Sequence, residues 1–330
     1  MRLGVSLGLW QDRPAEEALL TAGAADELGY DELWVGEMAT YDAFALATAI
    51  GLSTGRIGLT VGPLAVAVRD PMMIAMGVAS VAALVGRPVN VAVGTSSPTV
   101  VEEWHGRSRA RSAAVLREAV RALRPLLDGD KSDFSGEFVK SRGYRLRLPA
   151  PRPELTVAAF GASAVRTAAT ADRMVLNLIT PASAARLITD LRAAAQAGTP
   201  APERGHPPAR TPAPRVAAWV TAAIDPGREA VDRIRRAVVG YLAAPGYGEM
   251  FAEAGFGDVV AFARTRPHPR ELLAAIPDGL LEAVALLGDV DAARERLRAY
   301  ADAGVDEVAL VPVSTDADPG GVATLKALAG

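Results

Sequence analysis

The chain has no cysteine, and that absence removes disulfides, thiolate nucleophiles and Cys-ligated metal from consideration. Histidine is scarce as well. His105, His206 and His268 lie far apart with no HExxH or paired-Asp motif, so no metal centre is expected. Charge nearly cancels: a net −3 gives no basic field for nucleic acid. Arg117, Arg121 and Arg124 read instead as the solvated face of a helix. Apolar runs are broken by Arg, Asp or Gly before the roughly 20 residues that a bilayer span needs, so no membrane segment is expected. The N-terminus enters an alternating strand at once, with no charged leader or cleavage site, and a cytoplasmic location is expected. No GxGxxG follows an early strand, which argues against a Rossmann nicotinamide site.

What is present is alternation. With 330 residues and 50% hydrophobic content, the chain can bury roughly three quarters of its unfolded surface. The segment 56–98 reads as strand, loop, helix, strand and glycine loop, which implies a parallel pair. Extending the reading gives strands at 3–7, 32–36, 57–61, 89–93, 155–160, 173–179, 215–223 and 307–312. Helices at 14–28, 43–52, 71–84, 108–127, 162–170, 181–197, 226–241 and 289–303 alternate with them. Eight parallel strands predict a closed (β/α)8 TIM barrel, one domain over 1–330, with insertions at about 131–150, 198–214 and 241–281. The first insertion reads as a hairpin, the second as a Pro-rich exposed loop and the third as a lid-like helical segment. Residues 26–35 echo residues 301–310: each is helix, glycine stop, Asp-Glu, strand, and the pattern belongs to the stability face of a barrel.

Reactive groups in such a barrel project from the C-terminal strand ends. Glu37, after the apolar run 33–35, is there either as a proton donor or as half of a structural ion pair. His105, in the run Glu103-Trp104-His105-Gly106, is either a site acid or a structural group. Trp10 is a pocket wall or a core plug. The loops Gly94-Thr95-Ser96-Ser97 and Gly161-Ala162-Ser163 pair small residues with hydroxyls at helix starts, a setting suited to phosphate.

Residues 28–37 (LGYDELWVGE), 56–59 with 69–71, 93–95, 103–106, 286–289 and 303–306 resemble the luciferase-like monooxygenase superfamily. Within it they resemble the coenzyme F420-dependent oxidoreductases of the methylenetetrahydromethanopterin reductase type, over nearly the whole chain. The resemblance implies a bacterial-luciferase-like barrel, usually a homodimer, that binds a deazaflavin at its mouth; FMN is the alternative. It implies a cis Gly62-Pro63 bond beneath the ring, with Gly62, Pro63 and Leu64 facing the cofactor. Glu37 matches the family's acidic residue, Thr95, Ser96 and Ser97 the coenzyme loop, and Gly161, Ala162 and Ser163 the phosphate turn. Asn177, at the sixth strand end, joins the cofactor-facing set. Met38 stands where the sugar-phosphate dehydrogenase branch has His, and Leu64, Ala65 and Val66 stand where the reductases often have Asn and Thr. The expected reaction is reduction of a C=C or C=N bond in a small organic molecule, with Glu37 or His105 giving the proton and Trp10 beside them. The rivals are an FMN-dependent monooxygenase and a non-catalytic ligand-binding barrel.

Overall fold

The structure is a computed structural model that describes residues 1–8, 12–148, 151–197 and 213–329. Its first third runs β1 (Arg2–Ser6), α1 (Glu17–Glu27), β2 (Glu32–Val35), α2 (Ala43–Ser53), β3 (Gly58–Ala65), α3 (Pro71–Val85) and β4 (Val89–Gly94). After one π-helical turn at Thr99–Trp104 come α4 (Ser112–Leu127), β5 (Ser132–Ser135), β6 (Lys140–Tyr144), β7 (Leu155–Ala158) and α5 (Ala162–Ala168). Then follow β8 (Arg173–Asn177), α6 (Pro181–Ala197), β9 (Arg215–Ile224) and α7 (Arg228–Leu242). The third insertion holds α8 (Tyr247–Phe251), α9 (Gly257–Arg264), α10 (Pro269–Ala275) and α11 (Asp278–Val284). The described chain closes with β10 (Ala285–Gly288), α12 (Val290–Asp302), β11 (Glu307–Pro312) and α13 (Val322–Leu328).

Eight parallel strands close a ring in the order β1-β2-β3-β4-β7-β8-β9-β11, as the strand count predicts. A ninth, β10, is an addition to that count. It pairs with the upper half of β9, from Ala285 opposite Thr221 to Gly288 opposite Ile224, while β8 occupies the lower half. Helix α11 runs straight into β10, so the apolar sequence hides the boundary. The predicted hairpin is present as antiparallel β5 and β6, and its tip is clasped by Glu118 of α4, which accepts from the N–H groups of Glu137, Phe138 and Val139 at 3.1, 2.8 and 3.0 Å. Most of the Pro-rich connector, residues 198–212, lies outside the described residues. Among the described residues no helix is long and apolar enough to cross a membrane.

Alternation along the strands divides the core into two shells. Outward-facing Leu33, Val61, Val91 and Val157 are buried under the helices, while Trp34, Ala92, Val175, Ala217 and Ala309 fill the barrel interior. At the N-terminal end of the interior sits Arg173, wholly buried, between Glu32 at 2.5 Å and Glu307 at 3.0 Å. Its guanidinium also donates to the hydroxyls of Thr60 and Thr156, both at 3.0 Å, and lies 4.3 Å from the Trp34 ring centre. Glu32 and Glu307 are the glutamates of the two Asp-Glu pairs in the internal echo, and Gly29 and Gly304 end the preceding helices at φ of 81° and 91°. The echo is therefore structural, as its sequence setting suggests.

Candidate active site

The C-terminal mouth is assembled from strand ends. At the end of β3 the pairing with β4 slips between Val61 and Leu64, and the Gly62-Pro63 bond is cis, as the resemblance implies. Gly62 has φ of 114°, and a Cβ there would collide with the Ala92 carbonyl oxygen. The loop expected from residue 62 onward is thus still strand to Ala65. Pro63 stays partly exposed and faces Gly94, whereas the Leu64 side chain is fully buried under the helices. With its side chain buried, Leu64 would meet a cofactor through its backbone.

Of the two readings left open for Glu37, the structure realises the ion pair. Both carboxylate oxygens accept from Arg69, Oε2 from Nε at 2.7 Å, and Oε1 also accepts from the Ala43 N–H at the start of α2 at 3.3 Å. Arg69 reaches Asp42 as well, which caps α2 by accepting from the Phe44 and Ala45 N–H groups at 3.0 Å each. Hydrogen bonds to Glu37 lead the causes that hold the Arg69 guanidinium above its ordinary value. Protonating Glu37 would break a bidentate pair, so the proton-donor role expected of it does not suit this geometry.

The Thr95–Ser97 loop follows β4 at the surface. Ser96 takes a left-handed φ of 57° and its carbonyl accepts from Arg109 at 2.7 Å, while Ser97 Oγ accepts from the Val100 N–H at 3.2 Å. His105 ends the π-helical turn beyond this loop and is exposed. Gly161, Ala162 and Ser163 are exposed at the start of α5, with Ser163 Oγ accepting from Arg166 at 2.9 Å. Trp10 lies outside the described residues.

Asn177 ends β8 on the inward side, two residues beyond the interior Val175, and the next residue, Leu178, takes φ of 50°. Its amide is close enough to the hydroxyls of Tyr241 and Tyr247 to favour their ionised forms, against the burial that pushes both phenols up. Tyr247 stacks on Phe160 at 4.2 Å between ring centres and meets Tyr241 edge-on at 4.9 Å. The register partner of Asn177 on β9 is Trp219, which stands edge-to-face on Trp34 at 5.7 Å. The indole Nε1 of Trp219 is buried and has no hydrogen-bond partner among the described residues.

The structure therefore sets Glu37, Gly62, Pro63, the 95–97 loop, the 161–163 turn and Asn177 on five consecutive strand ends, β2-β3-β4-β7-β8. His105 stands outside that arc. Arg69, Trp219, Tyr241 and Tyr247 escape the sequence reading. The Arg69-Asp70-Pro71 run signalled Arg69, but the inward side of β9 depends on register, and the tyrosines sit in an insertion with no motif.

A family model described as luciferase-like monooxygenase matches residues 2–307. A Mycobacterium tuberculosis protein provisionally named a coenzyme F420-dependent oxidoreductase is 29% identical over 149 residues, which cover 45% of this chain and 41% of that protein. The chain thus spans less than half the length of the curated relatives it matches first. Among solved structures, the coenzyme F420-dependent tetrahydromethanopterin reductase of Methanopyrus kandleri superposes with a TM-score of 0.81 at 16% identity, covering 100% of this chain and 98% of its own. The oxygenating constituent of a Pseudomonas putida diketocamphane monooxygenase, in complex with FMN, superposes with a TM-score of 0.68 at 17% identity, over 100% and 97% of the two chains. At these identities the superpositions speak for the fold.

Proposed function

The chain belongs to the luciferase-like monooxygenase family, and from that premise we propose that it is a coenzyme F420-dependent oxidoreductase that reduces a C=C or C=N bond in a small organic molecule. The observation that carries this reading is the side-chain-free shelf at the mouth. A Cβ on Gly62 would collide with the Ala92 carbonyl oxygen, and one on Gly94 would stand a tight 3.1 Å from that of Ala158. Pro63, partly exposed, stands beside Gly94, and the hydroxyl loop 95–97 follows directly, a setting that would suit a planar tricyclic ring. The turn 161–163 with Arg166 would take an anionic tail, and Asn177 would face the ring. When bound, the reduced deazaflavin supplies the hydride. Glu37 then acts through Arg69, holding the shelf against α2, and His105 is the remaining acid of the two expected from the sequence.

An FMN-dependent monooxygenase is the second reading, because the same shelf would accept an isoalloxazine and an FMN protein shares the fold. Fluorescence titration of the purified chain with F420 and FMN separates the two. We expect F420 to bind at least about tenfold tighter, a difference of about 1.4 kcal/mol; tighter FMN binding overturns the assignment.

We also place the enzyme in the cytoplasm as a homodimer. Helices α2 and α3 carry no charged residue, and their outward sides show Leu52, Met73, Met76 and Leu84 to solvent. A helix apolar on every side is normally covered.

A further inference from the structure

Trp219 Nε1 is a buried donor without an acceptor among the described residues, and such a group in a native protein calls for an explanation. Trp219 packs on the interior cluster beside Trp34 and yet stays partly exposed, so its indole reaches from the packed interior toward the mouth. In the ring of eight, β9 is separated from β3 by three strands on either side, so Trp219 stands across the mouth from the Gly62-Pro63 shelf. Beside it, on β8, Asn177 brings up the hydroxyls of Tyr241 and Tyr247. Among the described residues, the side chains that these contacts bring together, Trp219, Asn177, Tyr241, Tyr247 and Phe160, are all neutral, and the charged Arg186, Asp190, Glu249 and Glu253 line a separate cavity beyond Phe160. The polar groups of the neutral cluster are donors set in aromatic surroundings, and the acceptor they suit is a neutral oxygen on a flat apolar molecule.

We infer that Trp219 Nε1 and the hydroxyls of Tyr241 and Tyr247 form the site for the substrate's carbonyl oxygen, and that the substrate is a neutral α,β-unsaturated carbonyl compound. This rests on the proposed F420-dependent reduction and narrows it to a C=C bond conjugated to C=O. Hydride adds to the β-carbon, the C=C electron pair moves toward the carbonyl, and the enolate oxygen carries the negative charge. Trp219 and the tyrosines meet that charge with fixed N–H and O–H groups, in the manner of an oxyanion hole. The α-carbon then takes a proton from water entering at the open mouth, and the enolate collapses to the saturated carbonyl. Burial keeps the phenols protonated, so they donate at neutral pH.

The test compares calorimetric binding of cyclohex-2-en-1-one with that of cyclohexene, which lacks the carbonyl, on the full chain with and without F420. Trp219→Phe and Tyr247→Phe keep an aromatic ring at each position and remove one donor each. We expect the wild-type chain to prefer the enone by at least about tenfold, and each variant to lose most of that preference while its F420 affinity stays unchanged. A wild-type chain with no preference, or variants that keep it, overturns the inference. So does an equal loss of F420 affinity in the variants, which would mark the residues as structural. If F420 fails to bind while the carbonyl preference stands, the cofactor reading falls and the donor site survives.

Discussion

Arg173 is one guanidinium shared by two carboxylates in the barrel interior, and the imbalance has consequences that can be measured. Against the burial that would raise it, contact with Arg173 holds the Glu32 carboxyl below the ordinary range. Burial, and then the neighbouring Glu32, push Glu307 above it. The two acids therefore act on stability in opposite directions. The share from Glu32 is present above the ordinary carboxylate range and is lost as pH falls through its depressed value. The share from Glu307 is present at low pH and is lost as pH rises through its raised value. We expect Glu307→Gln, which keeps an acceptor for the Trp34 indole, to flatten the decline in melting temperature as pH rises above the ordinary carboxylate range. Curves for wild type and variant that run parallel over that rise in pH would refute the assignment. Arg173→Met leaves both acids buried without a counter-charge, and a loss of about 3–5 kcal/mol in denaturant unfolding is expected.

The end of β3 makes a separate prediction at the scale of an element, since its course depends on a glycine. Gly62→Ala places a Cβ against the Ala92 carbonyl at a φ that L-residues avoid, and a loss of about 2–4 kcal/mol is expected. Gly240→Ala, the same chemical change inside α7 with open space around it, should instead stabilise by about 0.5–1 kcal/mol. Chemical denaturation of both variants checks the contrast; a neutral Gly62→Ala would mean that the β3 bulge is not enforced by packing. The same strand marks how far sequence carries the fold. The apolar run at 57–61 announced β3, but its continuation past Gly62 depends on pairing with Val93 and Gly94, which no local propensity records. The four-residue β10 was invisible for a related reason, having no punctuation between it and α11. The site followed the same rule. Residues next to a strand end with a glycine or hydroxyl signature could be read, whereas Trp219 needed the parity of β9, and Tyr241 and Tyr247 needed the packing of an insertion against Asn177 and Phe160. Glu37 could be located but not assigned a role, because its partner Arg69 lies 32 residues away.

For the molecule as a whole, the outer helices fall into two kinds. Helix α4 carries Arg117, Glu118, Arg121 and Arg124, and α12 carries Asp291, Arg294, Glu295 and Arg298, so each keeps a polar side toward water. Helices α2 and α3, adjacent and locked together where Gly77 admits the Phe44 ring, lack any such side. Leu52 and Leu84 are 68% and 65% exposed, well beyond what scattered surface leucines need, and they sit on neighbouring helices. A second copy pairing through the same face about a two-fold axis, the commonest closed arrangement for soluble oligomers, would cover it. Both helices frame the shelf, since α2 begins at the Glu37–Arg69 clamp and α3 follows Asp70, so pairing them would brace the mouth of each protomer. Leu84→Glu, at the far end of α3 from the mouth, is expected to yield a monomer by sedimentation at micromolar concentration and to lower the melting temperature without altering the strand ends. A wild-type chain that sediments as a monomer at that concentration would leave these helices without their partner and rule out the homodimer.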